Sequence, residues 1–290
     1  MKTIMLTHII ICVLAVMLAA QTKEPAEDER ALARGYGYFL ESNYKEALNT
    51  FEKFQQQFPQ SALLDRALFW KAWCNAELKN YTTALSAYYE LVKKFPQSSY
   101  ADDALFKMGE IYENNLHDYD RALKTYEQLI SLYPDLTQAP TQNINVRSNV
   151  INAQQQKAQI SEERYRDMPQ AINEWEKVQQ LDRQTESFGN KPGDYFNKKA
   201  QERINFIKNN SDHDYMPLNN FIEAEVLCRE GKHEQAIIKY QELLRQFPDS
   251  SLADNAAYGI VVCLQKQNKT EEAKAALKKF HKDYSNSNIK

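Results

Sequence analysis

Apolar side chains recur at offsets of three, four and seven along most of this chain, the spacing that lays them on one face of an α-helix. The clearest runs are Ala47, Leu48, Phe51, Phe54 and Phe58; Ala84, Leu85, Tyr88, Leu91 and Phe95; Ala122, Leu123, Tyr126, Leu129 and Tyr133; and Ala236, Ile237, Tyr240, Leu243 and Phe247. Each run closes on an aromatic residue and a proline, at Pro59, Pro96, Pro134 and Pro248. Proline lacks the N–H that would continue the helix, so it stops each run there. Ser61, Ser98 and Ser250 follow two residues later, where a side-chain oxygen can accept backbone N–H groups at the start of the next helix. The aromatic-proline pairs stand 37 and 38 residues apart, and the last follows after 114, three further steps of 38. A fourth unit is therefore expected in the irregular middle. One helix pair cannot bury its apolar face alone, whereas stacked pairs can, so the pattern predicts an all-α solenoid.

The positions that recur carry a family resemblance. Gly35, Tyr38, Ala47, Phe51 and Pro59 supply a small, aromatic, small, aromatic and proline series, repeated by Gly109, Tyr112, Ala122, Tyr126 and Pro134, with Ala72 and Ala224 replacing the glycine in two other units. This series resembles the tetratricopeptide (TPR) repeat family, which implies a TPR-like alpha-alpha superhelical solenoid. The aromatic-Pro-x-Ser turn followed by Asp65 to Ala67, Asp102 to Ala104 and Asp254 to Ala256 is similar to bacterial envelope repeat proteins of the Tol-Pal coordinator (CpoB) and outer-membrane assembly (BamD) types.

The organisation expected is a signal peptide or N-terminal anchor over 1–20, three repeats over 30–134, a linker and enlarged degenerate repeat with an extra helix over 135–215, and two further repeats over 216–285. Lys2 and the apolar stretch to Ala20 have the form of an export signal. About 17 apolar residues also approach the length that spans a bilayer, so cleavage after Ala20 and retention as an anchor both fit. Gln21 stands where a lipoprotein needs cysteine and Cys12 comes too early, so no lipid anchor is expected. In the middle, Met168 to Leu181 keeps Ala171, Ile172, Trp175 and Val178 in repeat-like phase, and Tyr195 to Asn209 has the pattern of an additional helix. Insertions of this kind usually project from a solenoid. Ala273, Leu277, Phe280 and Tyr284 repeat the stripe once more, with Lys274, Lys278, Lys279 and Lys282 giving the last helix a soluble face.

Composition narrows the function. Formal charge is -3, from 36 Lys and Arg against 39 Asp and Glu, which offers no general attraction to nucleic acid. Beyond the apolar start the cysteines are Cys74, Cys228 and Cys263, each on a helix beside apolar residues and read as buried. Cys228 and Cys263 lie 35 residues apart, near one repeat, which leaves open a bridge between adjacent helices in an oxidising compartment. The histidines and cysteines show no zinc-ligand spacing, and His233 takes the aromatic packing place held elsewhere by Tyr44, Tyr81 and Tyr119. No metal, cofactor or catalytic set is expected.

What remains is binding. Taking Gly35, Ala72, Gly109 and Ala224 as the packing positions puts Tyr36, Trp73, Glu110 and Glu225 toward the concave face formed by first helices. Phe39, Phe69, Phe106, Glu113, Phe221 and Arg229 fall near the same groove by repeat phase. Apolar anchors within a polar rim suit a protein segment. The expectation is thus a non-enzymatic protein-binding scaffold or coordinator of a bacterial cell-envelope complex, located in the periplasm or anchored in the inner membrane facing it. An accessory domain of a cell-wall-sugar enzyme and a self-assembling envelope component are the alternatives, and oligomeric state is left open.

Overall fold

The computed structural model describes residues 26–136, 145–185 and 193–289. The 1–20 segment, most of the linker between Pro134 and Asn145, and most of the Gln184 to Asp194 loop lie outside the described residues. Among the described residues there are 13 α-helices and no strand, and no helix is long and apolar enough to cross a membrane. The chain divides into two compact units between Ala104 and Leu105.

The first unit contains α1 (Glu27–Leu40), α2 (Tyr44–Gln57), α3 (Leu64–Glu77), α4 (Tyr81–Lys94) and the first turn of α5 (Ala101–Glu110). Each of α1 to α3 packs on the next, and α1 also meets α3. Ala47, Phe51, Ala72, Ala84, Tyr88 and Leu91 are fully buried, as the helical stripe requires. Burying a side chain of the size of Phe51 stabilises by roughly 1.5–3 kcal/mol relative to leaving it exposed. A Cβ on Gly35 would stand 2.6 Å from the Phe51 ring, so the small position exists to let that ring lie against the α1 backbone.

The turns are more ordered than a proline stop demands. Ser61 Oγ accepts from the Leu63 N–H at 3.0 Å and donates to Asp28 at 2.6 Å. Ser98 repeats both bonds, accepting from Tyr100 at 3.1 Å and donating to Asp65 at 2.6 Å. The serine thus starts one helix pair while holding the head of the previous first helix, which explains why Asp recurs there. Between the two helices of a pair a single residue turns left-handed, Ser42 at φ 58° and Lys79 at φ 63°. The next N–H then reaches back five residues, Asn43 to Tyr38 and Asn80 to Asn75, capping carbonyls that the helix end leaves free.

The second unit takes α5 onward through a π-helical turn (Ile111–Asn115), α6 (Tyr119–Leu132), α7 (Asn145–Ile160) with its π-helical turn (Ser161–Tyr165), α8 (Met168–Thr185), α9 (Gly193–Asn209), α10 (Met216–Arg229), α11 (His233–Gln246), α12 (Ala253–Lys266) and α13 (Thr270–Asp283). His117, Arg166, Gly231 and Asn268 make the left-handed turns between the two helices of its pairs, and Ser287 bonds to Asp254 at 2.7 Å as the serines of the first unit do. Helix α8 buries Ala171, Trp175 and Val178. The extra helix α9 does not project. It lies along α8 because Ala200, Ile204 and Ile207, at helical spacing, are buried. A short kinked turn (Asp212–Tyr215), with His213, Asp214 and Tyr215 all at positive φ, leads into α10. Helix α13 buries Ala273 and Phe280 and exposes Lys274, Lys278, Lys279 and Lys282.

Candidate partner-binding faces

In the first unit, α1 and α3 build an aromatic shelf. Tyr36 and Phe39 are one helical turn apart on α1, and Trp70 and Trp73 one turn apart on α3, so the two pairs face each other. The Trp70 ring lies 4.8 Å from both Tyr36 and Phe39 and stacks on Trp73 at 5.3 Å with the planes 10° apart. Phe39 meets Trp73 at 5.2 Å and Tyr44 at 5.5 Å, both edge-on. Such offset and edge contacts each add about 0.5–1.5 kcal/mol beyond burial. The shelf is only partly covered: Tyr36 is 39% exposed, while Phe39, Trp70 and Trp73 are half-buried. Trp73 Nε1 donates to Glu77 at 2.9 Å, which fixes the indole and gives the shelf a polar edge.

Phe69, expected on this open face, is core instead. It is 3% exposed, between Tyr88 at 5.7 Å and Tyr100 at 5.0 Å. One residue is about 100° of helix rotation, and Trp70 rather than Phe69 occupies the outward place. Trp70 was missed because the alignment on small positions singled out only Trp73. The three-residue spacing of the two tryptophans was the signal that could have found it.

The second unit presents a charged groove. Glu225 and Arg229 of α10 line a cavity of about 220 Å³ together with Glu162, Glu163, Trp175 and Arg203. They also line an adjoining cavity of about 550 Å³ that reaches Tyr240, Tyr258 and Gly259. Glu162 is buried, and its carboxylate accepts from Trp175 Nε1 at 3.0 Å and from the Arg203 guanidinium. Arg229 pairs with Glu163, Arg166 with Glu223, and Arg164 with Glu230 at 3.2 Å. Burial lowers the Arg203 pKa, with Arg229 adding to the effect and Glu225 opposing it. Glu225 keeps contact with solvent through the groove mouth, yet burial by the protein around it raises its carboxyl pKa against the pull of Arg203 and Arg229.

Phe106, Glu110 and Glu113 stand along α5 and its π turn. Phe106 is half-buried against Tyr126 at 6.0 Å, and Glu110 pairs with Lys107 at 2.8 Å. Glu113 accepts from Tyr126 Oη at 2.8 Å; burial raises its carboxyl pKa, a shift which that hydrogen bond partly offsets. Phe221, also expected near the open groove, is buried. At 7% exposure it is wedged between Phe206 at 6.3 Å and Tyr240 at 5.8 Å, and so is core with one edge on the larger cavity.

Cys228 and Cys263, expected to lie close enough for a bridge between adjacent helices, do meet in the second unit, their sulfurs 2.9 Å apart, and His233 joins them in a cluster with metal-ligand chemistry that the sequence does not announce. The donor atoms of Cys228, His233 and Cys263 fall within 4.8 Å of one another. They come from α10, the start of α11 and α12, so no short motif announces them.

The family comparison agrees with this architecture. The tetratricopeptide repeat model matches residues 31–61, 66–98, 103–136, 221–250 and 255–287. No match was found among the curated proteins. Solved structures similar to this chain include a tetratricopeptide repeat protein from Parabacteroides merdae, 13% identical with a TM-score of 0.48, covering 90% of this chain and 94% of that one. Another is a thermophilic TPR protein of Thermus thermophilus, 16% identical with a TM-score of 0.34, covering 81% and 99%. A third is the TPR2AB-domain:pHSP90 complex of yeast Sti1, 13% identical with a TM-score of 0.39, covering 90% and 92%. The matched repeats take in more than half of the sequence, each on a helix pair of the kind described, and the chain belongs to the tetratricopeptide repeat family.

Proposed function

We propose that this TPR protein is a non-enzymatic scaffold of a bacterial cell envelope, holding a segment of a partner protein against its first-helix faces. The observation that carries the reading is the aromatic shelf of Tyr36, Phe39, Trp70 and Trp73, four rings packed on one another yet left partly open. Rings of this kind, held rigid by their neighbours, offer a large contact area at low entropic cost, and Trp and Tyr are enriched among residues that dominate binding energy. The arginine and glutamate pairs of the second unit supply a separate polar face. Because their carboxylates are engaged by Arg203 and Arg229, they suit recognition better than proton transfer. The envelope location rests on the apolar start of the chain and on the resemblance of its repeats to envelope proteins of the CpoB and BamD types.

Two experiments test this. Photocrosslinking from positions 36, 73 and 225 in the native envelope, followed by mass identification, is expected to recover one reproducible protein partner. Tyr36→Ala and Trp73→Ala are expected to weaken that capture while far-UV circular dichroism stays unchanged. Crosslinks to self alone, or crosslinks indifferent to both substitutions, would refute the shelf as the binding face. Fractionation of chains with and without residues 1–20 tests the location, and equal cytoplasmic recovery of the two would defeat it.

A further inference from the structure

We propose that Cys228, His233 and Cys263 form a site for one soft or borderline d10 cation, zinc(II) in the first instance, which clamps the last two helix pairs together. His233 Nδ1 stands 3.7 Å from Cys228 Sγ, and the two sulfurs are 2.9 Å apart. With Zn–S near 2.3 Å and Zn–N near 2.0–2.1 Å at a tetrahedral angle, a ligating sulfur and nitrogen are about 3.6 Å apart and two sulfurs about 3.8 Å. The Cys228 and His233 pair already has that separation. To reach the same geometry the two sulfurs need to open by about 0.9 Å, and His233 and Cys263, whose donors lie within 4.8 Å, to stand about 3.6 Å apart.

The donor set selects the ion. Two thiolates and an imidazole favour zinc or copper(I) and exclude the oxygen-seeking magnesium and calcium. Both cysteines are buried, where two thiolates are costly unless a cation compensates them. On binding, each thiol gives its proton to solvent as its S–metal bond forms, and two thiolates neutralise the divalent charge with no change of oxidation state. An entry path exists because Cys228 lines the cavity of about 550 Å³ beside Tyr240 and Asn255, from which water can complete the tetrahedron. Cys228 ends α10, His233 begins α11 and Cys263 lies on α12, so the ion would tie one helix pair to the next. A disulfide between the same sulfurs is the competing chemistry, but it gives His233 no part.

The full-length chain, without an affinity tag, would be reduced, freed of metal by a chelator and titrated anaerobically with cobalt(II) and then zinc(II). The expected result is one equivalent of cobalt with a thiolate-to-cobalt charge-transfer absorption, its displacement by zinc, and a higher Tm in zinc. Cys263→Ser and His233→Gln are expected to weaken binding by at least about tenfold, and Cys74→Ser to leave it unchanged. The wild-type spectrum decides the matter if a variant fails to fold. The proposal is overturned by the absence of the charge-transfer band in folded, reduced wild type. It is equally overturned by unaltered binding in Cys228→Ser/Cys263→Ser, or by thiols 228 and 263 recovered as a disulfide from a chain that binds no metal once reduced.

Discussion

The same substitution, glycine to alanine, is expected to act with opposite sign at two places in this chain. Gly231 turns from α10 into α11 at φ +79°, and a Cβ added there would meet nothing within 4 Å. Its cost is therefore backbone strain alone, roughly 1–2 kcal/mol for a left-handed L-residue. The stiffer unfolded chain returns about 0.4–1 kcal/mol. Gly231→Ala should then destabilise by roughly 0.5–1 kcal/mol, the difference of those two effects. Gly37 lies inside α1 with equally open space around its missing Cβ but no positive φ. Gly37→Ala should stabilise by up to about 1 kcal/mol, the difference in helix propensity. Lys79→Gly, at φ 63° in the first unit, reverses the Gly231 experiment and should stabilise by roughly 0.5–1 kcal/mol. Urea unfolding followed by far-UV circular dichroism measures all three. Stacked repeats need not unfold in one step, so tryptophan fluorescence from Trp70 and Trp73 should be recorded for the two variants of the first unit. If Gly231→Ala and Gly37→Ala shift the midpoint in the same direction, the assignment of strain to the turn is wrong.

Three further outcomes follow from the packing. Gly109→Ala places its Cβ 2.2 Å from the ring of Tyr126, which is fully buried and tied to Glu113. It should destabilise by roughly 1–3 kcal/mol in urea melts; no change would mean the ring can move aside. Arg203→Met leaves the buried Glu162 carboxylate without its cation. The loss should be roughly 2–4 kcal/mol, discounted because the guanidinium is itself partly exposed, and adding Glu162→Gln should recover part of it in a double-mutant cycle. The folded pKa of Glu113 is raised above that of the unfolded chain, which lies near about 4.3. Its ionised form therefore subtracts stability at neutral pH, and the penalty fades as pH falls through the folded value. Glu113→Gln, which can still accept from Tyr126, should stabilise most at about pH 7 and not at all below about pH 4, whereas a pH-independent gain would contradict the burial argument.

What the sequence made legible was whatever repeats with a fixed period. Phe51, Tyr88, Tyr126 and Tyr240 could be placed in the core because their phase recurs from unit to unit, and all four are buried. The first helices were harder. Phe69 is one residue away from the outward place that Trp70 takes, since hydrophobic residues surround that position and periodicity cannot fix the rotation, while Phe221 is covered by Phe206 of the inserted helix, which the repeat phase does not include. Ser42 and Lys79 carry no turn signal, because the left-handed conformation is imposed by the capping bonds around them rather than by their own preference. Of the cysteine and histidine cluster, the approach of Cys228 to Cys263 is legible in their one-repeat spacing, but the part of His233 is not. The cluster's members lie on three helices, and only the stacking of one pair on the next brings them together.

At three turns the bond from serine to aspartate spans 33 residues, as Ser61 to Asp28, Ser98 to Asp65 and Ser287 to Asp254, whereas at the turn after Pro248 Ser251 reaches Asp212 across 39. At those three, donor and acceptor keep step with the repeat itself. A duplication in register of a whole repeat that carries this turn hands its aspartate a serine at the same spacing. A gain or loss of a few residues between the two partners has no such immunity, because it moves the hydroxyl off its carboxylate. This sets a grammar for how such an array can change length: in whole words, not in letters. The last pair gives the rule an edge effect, since Ser287 lies beyond α13, and a chain trimmed after Tyr284 would keep every helix yet leave Asp254 without its donor.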